Sequence, residues 1–242
     1  MRNQNMAISG PADAIAFAPS EARAEFIRKT YTQLLLAIAA FILLATALVN
    51  SPFAEGLIAK MMGGRFSWLI VLGLFMFVSH IANKWALSAT SPGKQYLGLY
   101  LFVVAESIIF LPLLYIATLP QFAAQNVLMN AAIITLGTFS GLTAIVFLSG
   151  KDFSLMGGIL KVAGFVALGV IVCSLIFGFS LGIIFCGAMA LFAAGSVLYT
   201  TSNVLHQYRP GMHVAAALAL FAGIALLFWY ILRIVMSFTG RD

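Results

Sequence analysis

The chain has 242 residues, of which 62% are hydrophobic and only 8% are charged, and its formal net charge is +6. Soluble domains carry about 25% charged residues, because a chain that folds in water must cover its surface with polar groups. The composition therefore excludes a soluble globular domain and makes the lipid bilayer the solvent for most of the chain. The positive charge does not indicate nucleic-acid binding, because the basic residues lie between apolar blocks and form no basic face studded with aromatic residues.

Seven apolar blocks are each long enough to cross a bilayer, which needs about 20 mostly apolar residues. In chain order they run over Thr30–Val49, Ser67–Ala86, Tyr96–Leu119, Asn126–Gly150, Leu160–Gly178, Leu181–Tyr208 and Val214–Met236. Short connections separate them, and several contain the proline and glycine typical of turns. We predict an all-α, polytopic membrane protein: a seven-transmembrane-helix bundle over residues 28–242, preceded by a flexible cytoplasmic tail over residues 1–27.

The distribution of lysine and arginine predicts the orientation of this bundle. Of the thirteen basic residues, nine fall on the side that holds the N-terminus and four on the opposite side. Loops that stay in the cytoplasm carry the excess of positive charge in membrane proteins. The N-terminus is therefore predicted to be cytoplasmic and the C-terminus to lie outside.

Glu106 is the one acidic residue within the seven predicted spans, and it lies near the middle of the third. An acid at that depth costs roughly 2.5–3.5 kcal/mol on insertion scales, so such residues face the bundle interior or water. Two roles fit. Glu106 is either a weak cation ligand or proton-titrating group in a central cavity, or a neutral acid that is hydrogen-bonded to a neighbour. A tight calcium site is not expected, because Ca²⁺ takes 6–8 oxygen ligands.

Two other polar features accompany this acid. His80 lies near the predicted cytoplasmic end of the second span, where it either approaches Glu106 or is solvated at the interface. In the sixth span, helical spacing places a row of four polar residues on one face, namely Ser196, Thr200, Asn203 and Gln207. The row either lines a half-channel open to the cytoplasm or hydrogen-bonds to neighbouring helices.

Motifs of catalytic and cofactor sites are missing from the sequence. It contains no GxxxxGK[ST], no HExxH and no CxxC, and such patterns mark phosphate, zinc and redox chemistry respectively. One acid within the spans is also too few for an intramembrane aspartyl protease. We therefore expect neither enzymatic activity nor a cofactor.

Three segments resemble the Bax inhibitor-1 family of multi-pass membrane proteins. The fourth predicted span and the loop after it read TLGTFSGLTAIVFLSGKDFS, residues 135–154. This stretch is similar to the family's T-x-x-T/V-F-x-x-L-T helix and K-D-F-S loop, with Thr135, Phe139, Thr143 and Asp152 at matching positions. RKTY at residues 28–31 and LLFWYILRI at residues 226–234 are similar to the family's R-K-T-Y segment and L-F-x-Y-L-L-R-L ending.

The resemblance implies a seven-helix bundle with one central helix, a protein of ion homeostasis or stress response, and a calcium leak across the membrane. It implies that the membrane is the bacterial inner (plasma) membrane. For some bacterial members it also implies binding to a membrane-anchored ATP-dependent protease, whose activity the member modulates. Two functions stay open: a cation leak through the bundle that passes Ca²⁺ or H⁺, and a non-transporting partner or modulator of such a protease.

One departure from the family pattern bears on the leak. The resemblance attributes leak activity to two aspartates that share a proton, one in a Y-D-T motif and one in an L-Y-L-D motif. At these places the chain has Tyr199-Thr200-Thr201 and Leu220-Phe221-Ala222-Gly223, so that Thr200 and Gly223 replace the acids. The pH-dependent closing that such a pair produces is therefore not expected in its usual form.

Overall fold

The computed structural model describes residues 14–64, 66–88 and 91–240. Within these ranges the fold is all-α and has no strand, which confirms the predicted fold class. The helices are α1 (Ser20–Val49), α2 (Ala54–Met62), α3 (Ser67–Ala86), α4 (Pro92–Ala117), α5 (Pro120–Ala123), α6 (Val127–Ser149), α7 (Met156–Phe177), α8 (Ile183–His206) and α9 (His213–Thr239). Seven of these described helices, all except α2 and α5, are long and apolar enough to cross a membrane.

Local sequence signals set several helix ends. Ser91 precedes α4 and its hydroxyl accepts a hydrogen bond from the Lys94 amide at 3.5 Å, while Pro92 occupies the first helical position, where proline loses no helical hydrogen bond. Gly150 and Gly178 follow α6 and α7 with φ of 60° and 78°. Glycine adopts this left-handed conformation without steric cost, so it ends a helix cleanly.

Contacts between helix ends place the connections on two sides of the bundle. On one side Tyr96 at the start of α4 lies 3.4 Å from His213 at the start of α9, measured from the hydroxyl to Nε2. On the other side the Tyr115 hydroxyl, near the end of α4, donates to Glu55 Oε1 of α2 at 2.7 Å. We call the first side the basic side; it holds the start of α1 and the α3–α4, α6–α7 and α8–α9 connections.

The N-terminal segment is docked on the basic side. Ile15, in a short 3-10 turn over Ile15–Phe17, is fully buried, and its amide donates to the carbonyl of Tyr208 at 2.8 Å. Helix α1 starts at Ser20, ten residues before the predicted span. The described part of the predicted flexible tail, residues 14–27, is thus a packed turn followed by helix, while residues 1–13 lie outside the described residues. The first turns of α1 were not predicted to be helical, because their sequence is polar and lacks the apolar composition of a span.

Helices α4 and α9 form the centre of the bundle. In their most apolar 18-residue stretches, 67% and 72% of the residues are buried, against 6–22% in the other five spans. Helix α1 packs against α4 and α9, and α6 packs against α8 and α9, whereas α7 packs mainly against α8. The central position that the resemblance assigns to one helix is therefore shared by two.

Candidate functional site

Glu106 lies in the core of the bundle between aromatic residues. It is 7% exposed, and Phe102 and Phe110 lie one helical turn before and after it on the same side of α4. The ring of Phe102 contacts Phe221 of α9 with centroids 6.1 Å apart, and the ring of Phe110 contacts Phe41 of α1 at 5.1 Å. Because both flanking rings point toward α1 and α9, the side of α4 that carries Glu106 faces the interior and not the lipid.

The Glu106 carboxyl makes no hydrogen bond or ion pair within the described residues. Burying a carboxylate without a partner is far more costly than burying a neutral acid, because the charge loses its hydration. The surroundings seen here therefore accommodate the neutral acid. Of the two roles left open by the sequence, the hydrogen bond of the second is not seen among these residues.

His80 does not meet Glu106. It lies on the exposed side of α3, and the structure records no hydrogen bond or ion pair between the two side chains. The side of α3 that packs on α4 carries small residues instead, including the buried Ala82 and Ala86.

The polar row of α8 divides into separate environments. Ser196 and Thr200 are half-buried, and the Ser196 hydroxyl donates to the Phe192 carbonyl of its own helix at 3.0 Å. Asn203 is buried, and its side-chain oxygen has no hydrogen-bond partner within the described part of the chain. Gln207 lies just beyond the last residue of α8. Ser196 therefore contributes neither a free channel-lining hydroxyl nor a hydrogen bond between helices.

A group of three buried hydroxyls lies toward the basic side, and the sequence did not single it out as a site. The hydroxyl of Tyr31 in α1 lies beside those of Thr143 in α6 and Thr201 in α8. The Tyr31 hydroxyl is within hydrogen-bonding reach of both threonine hydroxyls, and all three oxygens are shielded from solvent. We call this group the hydroxyl cluster.

The α6–α7 connection is held on α8 by the hydroxyl of Ser202. This fully buried oxygen accepts a hydrogen bond from the Phe153 amide at 2.8 Å and donates to Asp152 Oδ1 at 3.2 Å. The same carboxylate oxygen accepts from the Ser154 amide at 2.9 Å and so caps the turn that leads into α7. His206 Nδ1 lies 2.9 Å from the Ser202 carbonyl, so this nitrogen carries a proton and donates it. We call these four residues, Asp152, Ser154, Ser202 and His206, the loop anchor.

The loop anchor favours the charged form of Asp152. Partial burial alone would raise the pKa of this carboxyl, but the hydrogen bonds from Ser154 and Ser202, together with nearby His206, outweigh that effect and hold the pKa below its usual value. Hydrogen bonds that are made to a carboxylate stabilise its ionised state. Asp152 is thus an ionised, structural residue near neutral pH.

We expect the contribution of Asp152 to stability to depend on pH. Its pKa is lower in the folded protein, so the stabilisation is complete above the ordinary value of about 4 and is lost as the pH falls through the folded-state value. Asp152→Asn should therefore lower the melting temperature at pH 7, and the difference from wild type should shrink below about pH 4. Thermal unfolding in detergent at pH 7, 5 and 3 measures this. The exposed control Glu21→Gln should show no such gap at pH 7, and a constant gap for Asp152→Asn would contradict the assignment.

The model of the family described as inhibitor of apoptosis-promoting Bax1 matches residues 23–240. The chain belongs to the Bax inhibitor-1 family. It is 28% identical over 233 residues to Bax inhibitor 1 of Schizosaccharomyces pombe, a match that covers 94% of this chain and 82% of that protein. It is 26% identical over 226 residues to protein lifeguard 4 of Mus musculus, covering 90% and 87% of the two chains. An uncharacterized protein of Pseudomonas aeruginosa is 28% identical over 172 residues, 70% of this chain and 72% of that protein.

The Bax inhibitor-1 motif of the fourth span places its residues in three kinds of surroundings. The buried Thr135 donates to the Ala131 carbonyl of its own helix at 2.7 Å. Phe139 is buried in the main hydrophobic core. Thr143 belongs to the hydroxyl cluster and Asp152 to the loop anchor. The motif therefore supports packing at its start and polar contacts on the basic side at its end.

The two places where the resemblance puts aspartates are occupied differently here. Gly223 of α9 packs on α8 so closely that an added Cβ would lie 3.2 Å from Cγ2 of Val197. A larger side chain at residue 223 would therefore press on Val197, which would have to shift by a few tenths of an ångström. Thr200 is half-buried on α8. In this Bax inhibitor-1 protein the interface is filled by close backbone packing at that point.

Proposed function

We propose that this Bax inhibitor-1 family member is a low-throughput proton or cation leak in which Glu106 is the titrating gate. One observation supports this most: the bundle buries an acid at mid-depth among aromatic rings, without a polar partner within the described residues. A carboxyl that is held in this way is stable in the neutral form and strongly disfavoured in the charged form. Loss of the Glu106 proton would favour hydration of the core. The conformation described here, which accommodates the neutral acid, would then be the closed state.

A leak of this design would bind divalent cations weakly. Glu106 is the single acid of the seven apolar blocks, and the described residues contain no group of three or more histidine, cysteine, aspartate or glutamate side chains that could hold a metal ion. Ca²⁺ prefers several charged oxygen ligands together. Passage of Ca²⁺ would therefore be transient, with the lone carboxylate as its main attraction.

The proposed membrane is the bacterial inner membrane, with the basic side in the cytoplasm. Support comes from the excess of lysine and arginine on that side and from the bacterial relative. Under this orientation the loop anchor and the docked N-terminal segment face the cytoplasm, and α9 ends outside.

Flux through proteoliposomes tests the leak. Wild type should pass H⁺ or Ca²⁺ at a rate that rises with pH as Glu106 loses its proton, and Glu106→Gln should abolish that pH dependence. Thr135→Val serves as the matched control, because its hydroxyl is already bonded within α6, and it should leave flux unchanged. Equal flux from wild type and Glu106→Gln at every pH, or no flux from either, would reject the proposal.

A second function rests on the outer surface of α7. This helix packs mainly on α8 and exposes large apolar side chains, including Ile159 at 72% and Phe165 at 77%. A peripheral helix of this kind would suit contact with another membrane protein, and the family resemblance makes a membrane-anchored ATP-dependent protease the partner. A photo-crosslinking residue at Phe165 should then capture the protease in membranes, whereas one at the buried Phe110 should not. Crosslinks to lipid alone at Phe165 would count against this role.

A further inference from the structure

We infer that the contact between Tyr96 and His213 is a pH-sensitive junction on the basic side, which joins the starts of α4 and α9 at neutral pH and loosens in acid. The Tyr96 hydroxyl lies 3.4 Å from Nε2 of His213. The two rings meet edge to face, with centroids 6.4 Å apart. This junction is separate from Glu106 and does not depend on the proposed leak.

A second contact lies one residue earlier in both helices. The side-chain amide of the buried Gln95 donates to the Ser88 carbonyl at 2.7 Å and lies 3.9 Å from the sulfur of Met212. This contact cannot change its charge, whereas the neighbouring one contains an imidazole that can. Because α4 and α9 are the central helices of the bundle, a change at this point acts on the two helices against which most of the others pack.

The surroundings of His213 disfavour a charged imidazole. It is half-buried and is the first residue of α9, where a helix carries partial positive charge. From α1 the charge of Lys29, which is paired with Glu25 at 2.7 Å, acts on it; from α4 it meets the neutral phenol of Tyr96. The first turn of α9 has no acid, and α3, α6 and α8, which also pack on α9, contain none. Among the described residues no acid forms an ion pair with His213.

Protonation of His213 changes the junction in two ways. The neutral imidazole can accept the proton of the Tyr96 hydroxyl at Nε2, but a protonated ring carries N–H at both nitrogens, so the hydroxyl must turn and accept instead. The charged ring is also held in a half-buried place beside a helix N-terminus and a lysine, whereas an open junction would expose it to water. The open state therefore binds the proton more readily. By linkage, the closed junction is fully stable above the ordinary histidine value of about 6.5 and loses stability as the pH falls below it.

Hydrogen–deuterium exchange of the full-length protein in nanodiscs tests the junction. The measurements are made at pH 7.5 and pH 5.5, about one unit on either side of the ordinary histidine value, and are corrected for the intrinsic pH dependence of exchange. Amides at the start of α9 should lose protection several-fold at the lower pH in wild type. His213→Gln keeps a side-chain acceptor for Tyr96 but cannot become charged, so it should abolish this loss. His80→Gln removes an exposed histidine of α3 and is the matched control, which should behave like wild type.

A second variant distinguishes a titrating junction from a merely structural contact. Lys29→Gln removes the neighbouring cation but leaves both partners of the contact in place. The closed junction should then tolerate the charged imidazole better, so the loss of protection in acid should become smaller.

Two results would overturn the inference. The first is equal corrected protection of the start of α9 at both pH values in wild type. The second is a His213→Gln variant that loses protection in acid as wild type does. If His213→Gln does not fold, Lys29→Gln decides the question, since an unchanged loss of protection in that variant would reject the junction as a pH-sensitive element.

Discussion

Replacing Gly98 with alanine is expected to destabilise the folded bundle by about 3 kcal/mol, near the upper end of the range for overpacked positions. Gly98 lies where α4 crosses α3. An added Cβ would stand 2.6 Å from the Ala86 amide nitrogen and still closer to the Ala82 carbonyl oxygen. Both of these are backbone atoms, so the clash cannot be relieved by a side-chain rotation. The two helices must separate, and the contact between them weakens along its length.

Gly137→Ala is the matched control for this prediction. Gly137 is exposed on α6, and an added Cβ would meet no heavy atom of a neighbouring group within 4 Å. Alanine also favours a helix over glycine by up to about 1 kcal/mol, so this variant should be as stable as wild type or slightly more stable. Unfolding in mixed micelles with increasing SDS measures both variants. Equal stability of Gly98→Ala and Gly137→Ala would contradict the close α3–α4 packing.

Glu106→Leu is expected to stabilise the folded protein by about 1–3 kcal/mol, because it removes the cost of burying a polar group that has no partner. Leucine is close to glutamate in size and matches the flanking rings of Phe102 and Phe110 in polarity. Under the proposed function the same variant should lose flux, since stability is commonly sacrificed at functional positions. The measurements are SDS unfolding and proteoliposome flux on one preparation.

Glu106→Gln distinguishes the effect of burying a polar group from the effect of ionising it. The amide cannot ionise but keeps the unsatisfied polar group, so its stability should remain near that of the neutral acid while its flux no longer depends on pH. If Glu106→Leu proves less stable than wild type, the carboxyl must have a partner that stabilises it. The description of Glu106 as an isolated buried acid would then be wrong.

Several features were predictable from the residues because they depend on composition over about 20 positions. The seven spans follow from runs of apolar residues, and all seven are among the described helices. The short helices α2 and α5 were missed, since nine and four residues are too few for a composition signal. The start of α1 was missed for a different reason. Its first turns are polar, so the helix begins before the apolar stretch from which the span was predicted.

The hydroxyl cluster and the loop anchor could be predicted only in part. Asp152 was recognisable from its motif and its position before a helix, where a carboxylate caps exposed amides. Ser202 carried no comparable signal, because its role depends on the Phe153 amide, 49 residues away along the chain. Tyr31 and Thr143 each lie in a recognisable segment, but nothing in the order of residues brings those segments to one place.

The sequence by itself determined that this is a multi-pass membrane protein with seven apolar spans and that one acid lies near the middle of the third. Only the tertiary structure decided that α4 and α9 are central, that Glu106 lies on the interior side of α4, and that His80 lies on the exposed side of α3. The physical reason is the solvent. In lipid, the faces that contact other helices and the faces that contact acyl chains are both apolar, so periodicity does not reveal which way a helix turns. That choice is made by packing, through close approaches such as Gly98 on α3 and Gly223 on α8.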